Sequence, residues 1–475
     1  MLTATQLPQG HAVKSSLVAR DTLVELDRAH LIHPVTSWSA HEQRGATIVE
    51  SADGIYIRDH RGHTLLDAFA GLWCVNVGYG RKSMIAAATR QLETLPYATG
   101  YFHYTSAPAI GLAARLCELA PGDLDHVFFT LGGSDAVDSA IRLIRYYYNV
   151  QGQPQKKHMI ALDKGYHGSS AMSSGLSGLP AFHANFDVPT QLQHHIPAPY
   201  AYRSEAADDA ALIALSVQQL RDKVAELGVD NVAAFFCEPI QGSGGVITPP
   251  RGWLKAMRAL CTELGILFVA DEVITGFGRT GTLFACEQED VTPDLMTLAK
   301  GLTSGYSPMG ALLISDRFYR AIADGAPRGA VIGHGLTYSG HPVSAAVGLE
   351  ALRIYTEEGL VAHGAKVGAY FQARLAELAG HPLVGDVRGR GLLAGVELVT
   401  SKANKTKPAT ELKFADHLAR IGYDNGLVFR AFADGVAGFA PPLIVTESDI
   451  DLIVQRFTKT LDDVLAIKEI RHAVD

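Results

Sequence analysis

From about residue 125 to 315 the sequence alternates short apolar runs, rich in β-branched and aromatic residues, with longer amphipathic segments. No other feature constrains the fold as much. A run of four to eight such residues is strand-sized, and strands separated by helix-length segments pair in parallel, because the chain must cross over to return to the same edge. The runs are HVFFT (126–130), HMIAL (158–162), VAAFF (232–236), ILFVA (266–270), LMTLA (295–299) and GALLI (310–314). Between two of them, WLKAMRALCTEL (253–264) sets Leu254, Met257, Leu260, Cys261 and Leu264 on one helical stripe. The pattern implies an α/β protein with a mainly parallel sheet between helices.

The 475 residues are too many for one ordinary core, so a large domain with a smaller companion is expected. Upstream, GIYIRDHRGHTLLDAF reads as a hairpin turning at DHRGH; downstream, helical stretches alternate with strands such as GLLAGVELV. Residues 1–75 and 343–475 are assigned jointly to the smaller domain and 76–342 to the larger.

Composition excludes several classes. The net charge of −8, with no long basic stretch, argues against a nucleic-acid partner. The five cysteines are scattered and form no CxxC pair, which suggests neither a disulfide framework nor a zinc site. The N-terminus, MLTATQLPQGHAVKSSLVAR, lacks the apolar core of a signal peptide, and no apolar run approaches the roughly 18 residues of a membrane helix. A cytoplasmic protein without membrane contact is expected. His194 and His195 lack ligand spacing and read as a solvated loop, so no metal is expected either.

In parallel sheets ligands gather beyond the carboxyl ends of the strands. After HVFFT comes LGGSDAVD, a glycine turn opening a helix; its free N–H groups suit a phosphate, although taken alone an ordinary turn capped by Ser134 is the simpler reading. After VAAFF stand Glu238 and Pro239, after ILFVA stand Asp271 and Glu272, and after LMTLA stands Lys300, followed at once by Gly301. Lys300 is either a solvated charge ending a strand or an amine kept neutral, and so nucleophilic, by an apolar setting. The separation of Asp271 from Lys300 leaves room for one helix between successive strands. ILFVADE resembles the acidic strand of a nucleotide triphosphatase, but no GxxxxGK with Ser or Thr occurs, GYGRKS does not match, and there is no GxGxxG at a strand-to-helix turn. A phosphate turn, a strand-end acid and a lysine together suit pyridoxal 5'-phosphate: lysine holds its aldehyde as a Schiff base, and the acid keeps the pyridine nitrogen protonated.

The segments GLWCVNVGYG, GYHGS, AAFFCEPIQGSGGVITPP, LFVADEVITGFGRTG, LAKGLTSGYSPMGA and HGLTYSGHPV stand in the order and spacing of class III, fold-type I aminotransferases. From about residue 20 to 465 the chain resembles the omega-transaminases that use pyruvate as amino acceptor. The resemblance implies a seven-stranded, mainly parallel sheet and a smaller α+β domain formed by both chain ends. It implies Lys300 as the Schiff-base lysine and Asp271 as the partner of the pyridine nitrogen, with His167 supporting Asp271, Tyr166 stacked on the cofactor and Val273 packed behind it. Gly133 and Ser134 would supply phosphate donors, and Thr337 would reach the phosphate of the neighbouring subunit, which makes a homodimer part of the site. Trp73 and Tyr166 would line the amine pocket, and Arg430 would grip the carboxylate of pyruvate bidentately. Glu238 is read as structural. The implied donors are aryl-alkyl amines, diamines such as putrescine, or β-alanine, usually with S selectivity. The alternatives are an aminomutase, a decarboxylase of dialkyl amino acids, or a catalytically silent binding protein on the same scaffold. The sequence departs from the commoner pattern at Leu131, Gly132 and Asp135, where many members carry a hydroxyl or amide before the turn and a glutamate after it. Fewer donors to the phosphate, and weaker cofactor retention, are expected.

Overall fold

The computed structural model describes residues 20–474; residues 1–19, with most of the N-terminal stretch considered above, lie outside the described residues. Seven strands form the central sheet: β1 (His126–Thr130), β2 (His158–Leu162), β3 (Gln193–Ile196), β4 (Val232–Cys237), β5 (Leu267–Asp271), β6 (Leu295–Leu298) and β7 (Gly310–Ile314). Their order is β1-β7-β6-β5-β4-β2-β3. All neighbours pair in parallel except β7, which runs antiparallel between β1 and β6.

The apolar runs become strands because both faces of the sheet are covered. Phe235, Phe268 and Met296 pack into one core, with Trp253, Met257 and Cys261 of the helix Trp253–Leu264. The alternate residues Phe236, Val269 and Leu295 pack into a second core, with Val137, Ile141 and Ile144 of the helix Gly133–Val150. This period of two along the strands is the pleat expressed as burial. Gly265 ends the helix Trp253–Leu264 at φ 62°, a left-handed cap that lets the chain turn directly into β5.

Two expectations fail here. His194 and His195 lie in β3 rather than in a loop: Ile160 pairs with His194 and Ala161 with His195. β3 is an edge strand, so ladder hydrogen bonds to β2 hold it without an apolar run, and His194 Nε2 lies 2.7 Å from His158 Nδ1. Between β5 and β6 there is no α-helix but a glycine-rich loop and one short 3-10 helix, Ala285–Glu289. Glu272 holds that loop, accepting hydrogen bonds from Thr275 Oγ1, Ala285 N and Cys286 N.

Two smaller four-stranded sheets flank the central one. The expected hairpin forms, Tyr56–Asp59 pairing antiparallel with Thr64–Asp67, and Leu427–Val428 joins it in parallel. Chain segments from opposite ends of the sequence therefore share one sheet. The other sheet contains Val384–Arg390, Leu393–Leu398, Val436–Phe439 and Arg430–Ala431. The molecule is thus α/β, with a mixed central sheet and a separate smaller region built on the other two. Among the described residues no helix is long and apolar enough to cross a membrane, and all five cysteines are free thiols.

Candidate active site

The carboxyl ends of β4, β5 and β6 open onto one cleft of about 310 Å³, lined by Glu238, Asp271 and Lys300. Glu272 follows Asp271 but points to the other side of the sheet, as strand alternation requires. Gly133, Ser134, Tyr166, His167 and Val273 also line the cleft, so seven of the ten residues proposed from sequence converge.

The backbone around Lys300 explains why glycine follows it. Lys300 adopts φ 45°, a conformation that costs a non-glycine residue on the order of 1 kcal/mol. The next residue has no room for a side chain: a Cβ on Gly301 would lie 2.7 Å from Asn76 Nδ2 and 3.0 Å from Phe277 Cβ. Tyr355, buried, donates to the Gly301 carbonyl at 2.6 Å. A turn clamped on this scale aims the lysine into the cleft. Removal from solvent pulls the Lys300 ammonium below the ordinary lysine value, with Cys74, Asp271 and Glu238 working the other way.

Asp271 is buried and fixed from two sides: His167 Nδ1 lies 2.8 Å from its Oδ2, and Val273 N donates to its Oδ1 at 3.2 Å. Burial disfavours charge on His167, but the hydrogen bond and the nearby Asp271 and Glu238 carboxylates prevail and raise its pKa. His167 and Asp271 therefore form a buried hydrogen-bonded pair. Glu238 accepts from Tyr166 N and Gly242 N at 2.9 Å each, and burial pushes its pKa up to about 7. It holds the turn that carries Tyr166 and His167.

Three sequence candidates lie elsewhere. Trp73 is buried behind the cleft wall, its ring centroid 5.4 Å from Lys300 Nζ, while its neighbours Leu72 and Cys74 reach the cleft. Thr337 is exposed, its carbonyl accepting from Tyr97 Oη at 3.0 Å. Arg430 is exposed on its short strand, 5.4 Å from the Phe432 ring, with no carboxylate in ion-pair reach among the described residues. Ser307 and Met309 line the cleft unanticipated. Because β7 runs antiparallel, its start faces the cleft, and the segment before Gly310 carried that signal in the sequence.

Pyridoxal phosphate fits this donor set. The helix Gly133–Val150 has no side-chain cap, so its first N–H groups face the cleft, and a Cβ on Gly132 would meet nothing within 4 Å. A Cβ on Gly133 would crowd Val273, lying 3.0 Å from its Cγ1. An uncapped helix N-terminus suits a phosphate, a buried carboxylate paired with histidine suits a protonated ring nitrogen, and an amine that burial pulls toward neutrality suits an aldehyde.

The fold and this donor set define a pyridoxal-phosphate enzyme of fold type I. The chain belongs to the class III aminotransferases, whose family model matches residues 38–461. It is therefore a transaminase dependent on pyridoxal phosphate. It is 43% identical over 445 residues to the putrescine–pyruvate aminotransferase of Pseudomonas aeruginosa, covering 93% of this chain and 96% of the relative. It is 38% identical to the diaminobutyrate–2-oxoglutarate transaminase of Halomonas elongata, with the same coverage. Among solved structures it resembles the (S)-enantioselective omega-transaminase of Thermomicrobium roseum, with 40% identity, a TM-score of 0.91, and 94% and 99% of the two chains covered. The omega-transaminase of Pseudomonas jessenii in complex with PMP matches at 39% identity and a TM-score of 0.91, over 93% and 98% of the chains.

Proposed function

We propose that the enzyme moves an amino group from a primary amine, with a diamine such as putrescine foremost, to pyruvate, giving alanine and an aldehyde or ketone. The convergence of Lys300, Asp271 and an uncapped helix N-terminus on one cleft carries the chemistry. The likeness to a putrescine–pyruvate aminotransferase carries the substrate class. When bound, pyridoxal phosphate supplies an aldehyde for the amino group and a cationic ring that draws electrons from the substrate's Cα–H bond.

In this reading the Lys300 amine would take the proton from the substrate's Cα and deliver it to the carbon on the far side of the transferred nitrogen. A side chain already pulled toward neutrality suits that exchange. Asp271, held in place by His167, would keep a proton on the pyridine nitrogen. Val273 and Tyr166 would bracket the ring, and Gly133 and Ser134 would donate to the phosphate. Trp73 supports the amine side of the pocket from behind Leu72 and Cys74, and Arg430 swings in to meet the pyruvate carboxylate. Thr337 reaches the phosphate of a second copy, so the working unit is a homodimer. We assign residues 76–342 to the cofactor-binding domain and 1–75 with 343–475 to the smaller one, and place the enzyme in the cytoplasm, where its free thiols stay reduced.

Incubation with pyruvate and a panel of amines tests the proposal. Alanine should form in equal amount to the keto product, with ping-pong kinetics because one site serves both half-reactions. Lys300→Ala should lower turnover to below about 10⁻⁴ of the parent and remove the visible absorbance of lysine-bound cofactor. Transamination retained in that variant would overturn the assignment, and carbon dioxide released from a dialkyl amino acid, with no keto product from the amines, would favour a decarboxylase.

A further inference from the structure

Asp27, His33 and His41 form a cluster none of whose members lines the cleft. Asp27 lies on the helix Arg20–His30, His33 in the turn that follows, and His41 on the helix Trp38–Arg44, which Ser37 caps through Ala40 N. One ligand atom from each residue lies within 4.8 Å of the others. His33 Nε2 is 2.8 Å from Asp27 Oδ1, and the two imidazole rings are 4.5 Å apart. The three side chains are 30%, 11% and 11% exposed for His33, Asp27 and His41, so the cluster is half-shielded with an opening to solvent.

The contact between His41 and Asp27 needs a further explanation. His41 Nε2 and Asp27 Oδ2 lie 3.1 Å apart, yet the geometry makes no hydrogen bond, and both atoms are buried without any hydrogen-bond partner. A buried imidazole nitrogen and a carboxylate oxygen this close, with no hydrogen bond between them, are unfavourable unless something cationic bridges them. Ligands at about 2.0–2.2 Å around one tetrahedral zinc stand a little over 3 Å apart, close to the spacings found here. Arg44, on the helix that carries His41, is engaged elsewhere, its Nη2 3.9 Å from Asp416 Oδ1.

We propose that Asp27, His33 and His41 bind one divalent ion of the zinc class, with water in the fourth position. Two imidazoles and one carboxylate select zinc-like ions over calcium or magnesium, which prefer all-oxygen shells. The ion ties the first described helix to the segment ahead of the 49–67 hairpin. Its role is structural, and it is independent of the transaminase reading. Spacing along the chain does not reveal it, since the ligands stand six and eight residues apart across a helix end and a turn, with no metal-site signature.

Chelator-treated holoenzyme, dialysed against buffered Zn²⁺ and assayed for metal per chain, tests the site. The parent should retain a single equivalent, and His41→Ala and Asp27→Asn should each lose it while keeping cofactor content and transaminase activity. Their affinity should fall by at least the roughly 10–100-fold that losing a partner behind a metal ligand costs. No retained zinc, or equal retention by both variants, would overturn the proposal, as would binding of inorganic phosphate in its place. Should either variant fail to fold, Co²⁺ in the unaltered holoenzyme decides: intense visible bands of four-coordinate cobalt support the site, and the pale spectrum of the hydrated ion refutes it.

Discussion

The cleft and the surface around Thr337 are built on opposite principles. In the cleft the chain itself holds each carboxylate: Asp271 between His167 and Val273 N, Glu238 between Tyr166 N and Gly242 N. In the segments that meet at Thr337 and Tyr97, large apolar side chains stand in solvent, with Phe102 82% and Val331 88% exposed and Tyr97, Tyr104 and Tyr338 exposed too. A soluble chain seldom leaves so much apolar surface open unless something covers it. One chain therefore completes the electrostatics of the site but not its enclosure, which the proposed second copy supplies.

The sharpest way to break this comparison is to damage the finished half. Asp271→Asn keeps the shape of the side chain but removes the charge that holds a ring proton, and kcat should fall by about 10²–10³ with cofactor still bound. Steady-state kinetics beside a cofactor absorbance measurement checks this. Full activity would show that the buried pair with His167 is only structural.

The unfinished half is tested by Phe102→Asp combined with Val331→Asp. Burying two unpaired charges should weaken self-association by about 100-fold or more, seen by light scattering, with cofactor retention and activity falling together as monomers appear. A fully active monomer would show that Thr337 contributes nothing across an interface.

Glu238 lies between the two halves in scale. Its carboxyl releases a proton near 4.5 in the unfolded chain but near 7 when buried. Between those values the folded state binds the extra proton, so the contribution of Glu238 to stability is complete below about 4.5 and is lost as pH rises through 7. Glu238→Gln should flatten the stability profile of the cofactor-free enzyme across that window by on the order of 1–3 kcal/mol. Denaturant unfolding at several pH values reads the slope, which a constant cost of the substitution does not change. An unaltered slope would mean that Glu238 titrates as an ordinary carboxylate.

Much of the finished half was legible in the sequence because it obeys local rules. Buried parallel strands read as continuous apolar runs, and Glu238, Asp271 and Lys300, close behind three of them, line the cleft, so position brought these ionisable groups together while their roles came from resemblance. β3 was missed because an edge strand is held by ladder hydrogen bonds and tolerates histidine, leaving no apolar signal in QHHI. The helix expected between β5 and β6 gave way to a loop whose hydrogen bonds to Glu272 depend on a residue thirteen positions before Ala285. Ser307 and Met309 were overlooked since strand direction, not composition, places them at the cleft. Trp73, Thr337 and Arg430 came only from resemblance, and a single chain leaves each of them outside the cleft wall.

The smallest predicted effect lies at the point where this chain departs from its relatives' commoner pattern. Gly132 stands just ahead of the helix Gly133–Val150 with extended backbone, φ −173°, which any residue adopts, and a Cβ there meets nothing within 4 Å. Asp135 does not help a phosphate: its Oδ2 accepts from Leu131 N at 3.2 Å, which places a negative charge in the first helical turn. Gly132→Ser would add one hydroxyl donor beside the N–H groups without disturbing packing. One hydrogen bond to a bound phosphate contributes about 1 kcal/mol, so the cofactor dissociation constant should fall about fivefold. Fluorescence titration of cofactor-free enzyme measures it. An unchanged constant would mean that the helix N-terminus already satisfies the phosphate, and that the missing hydroxyl costs this chain nothing.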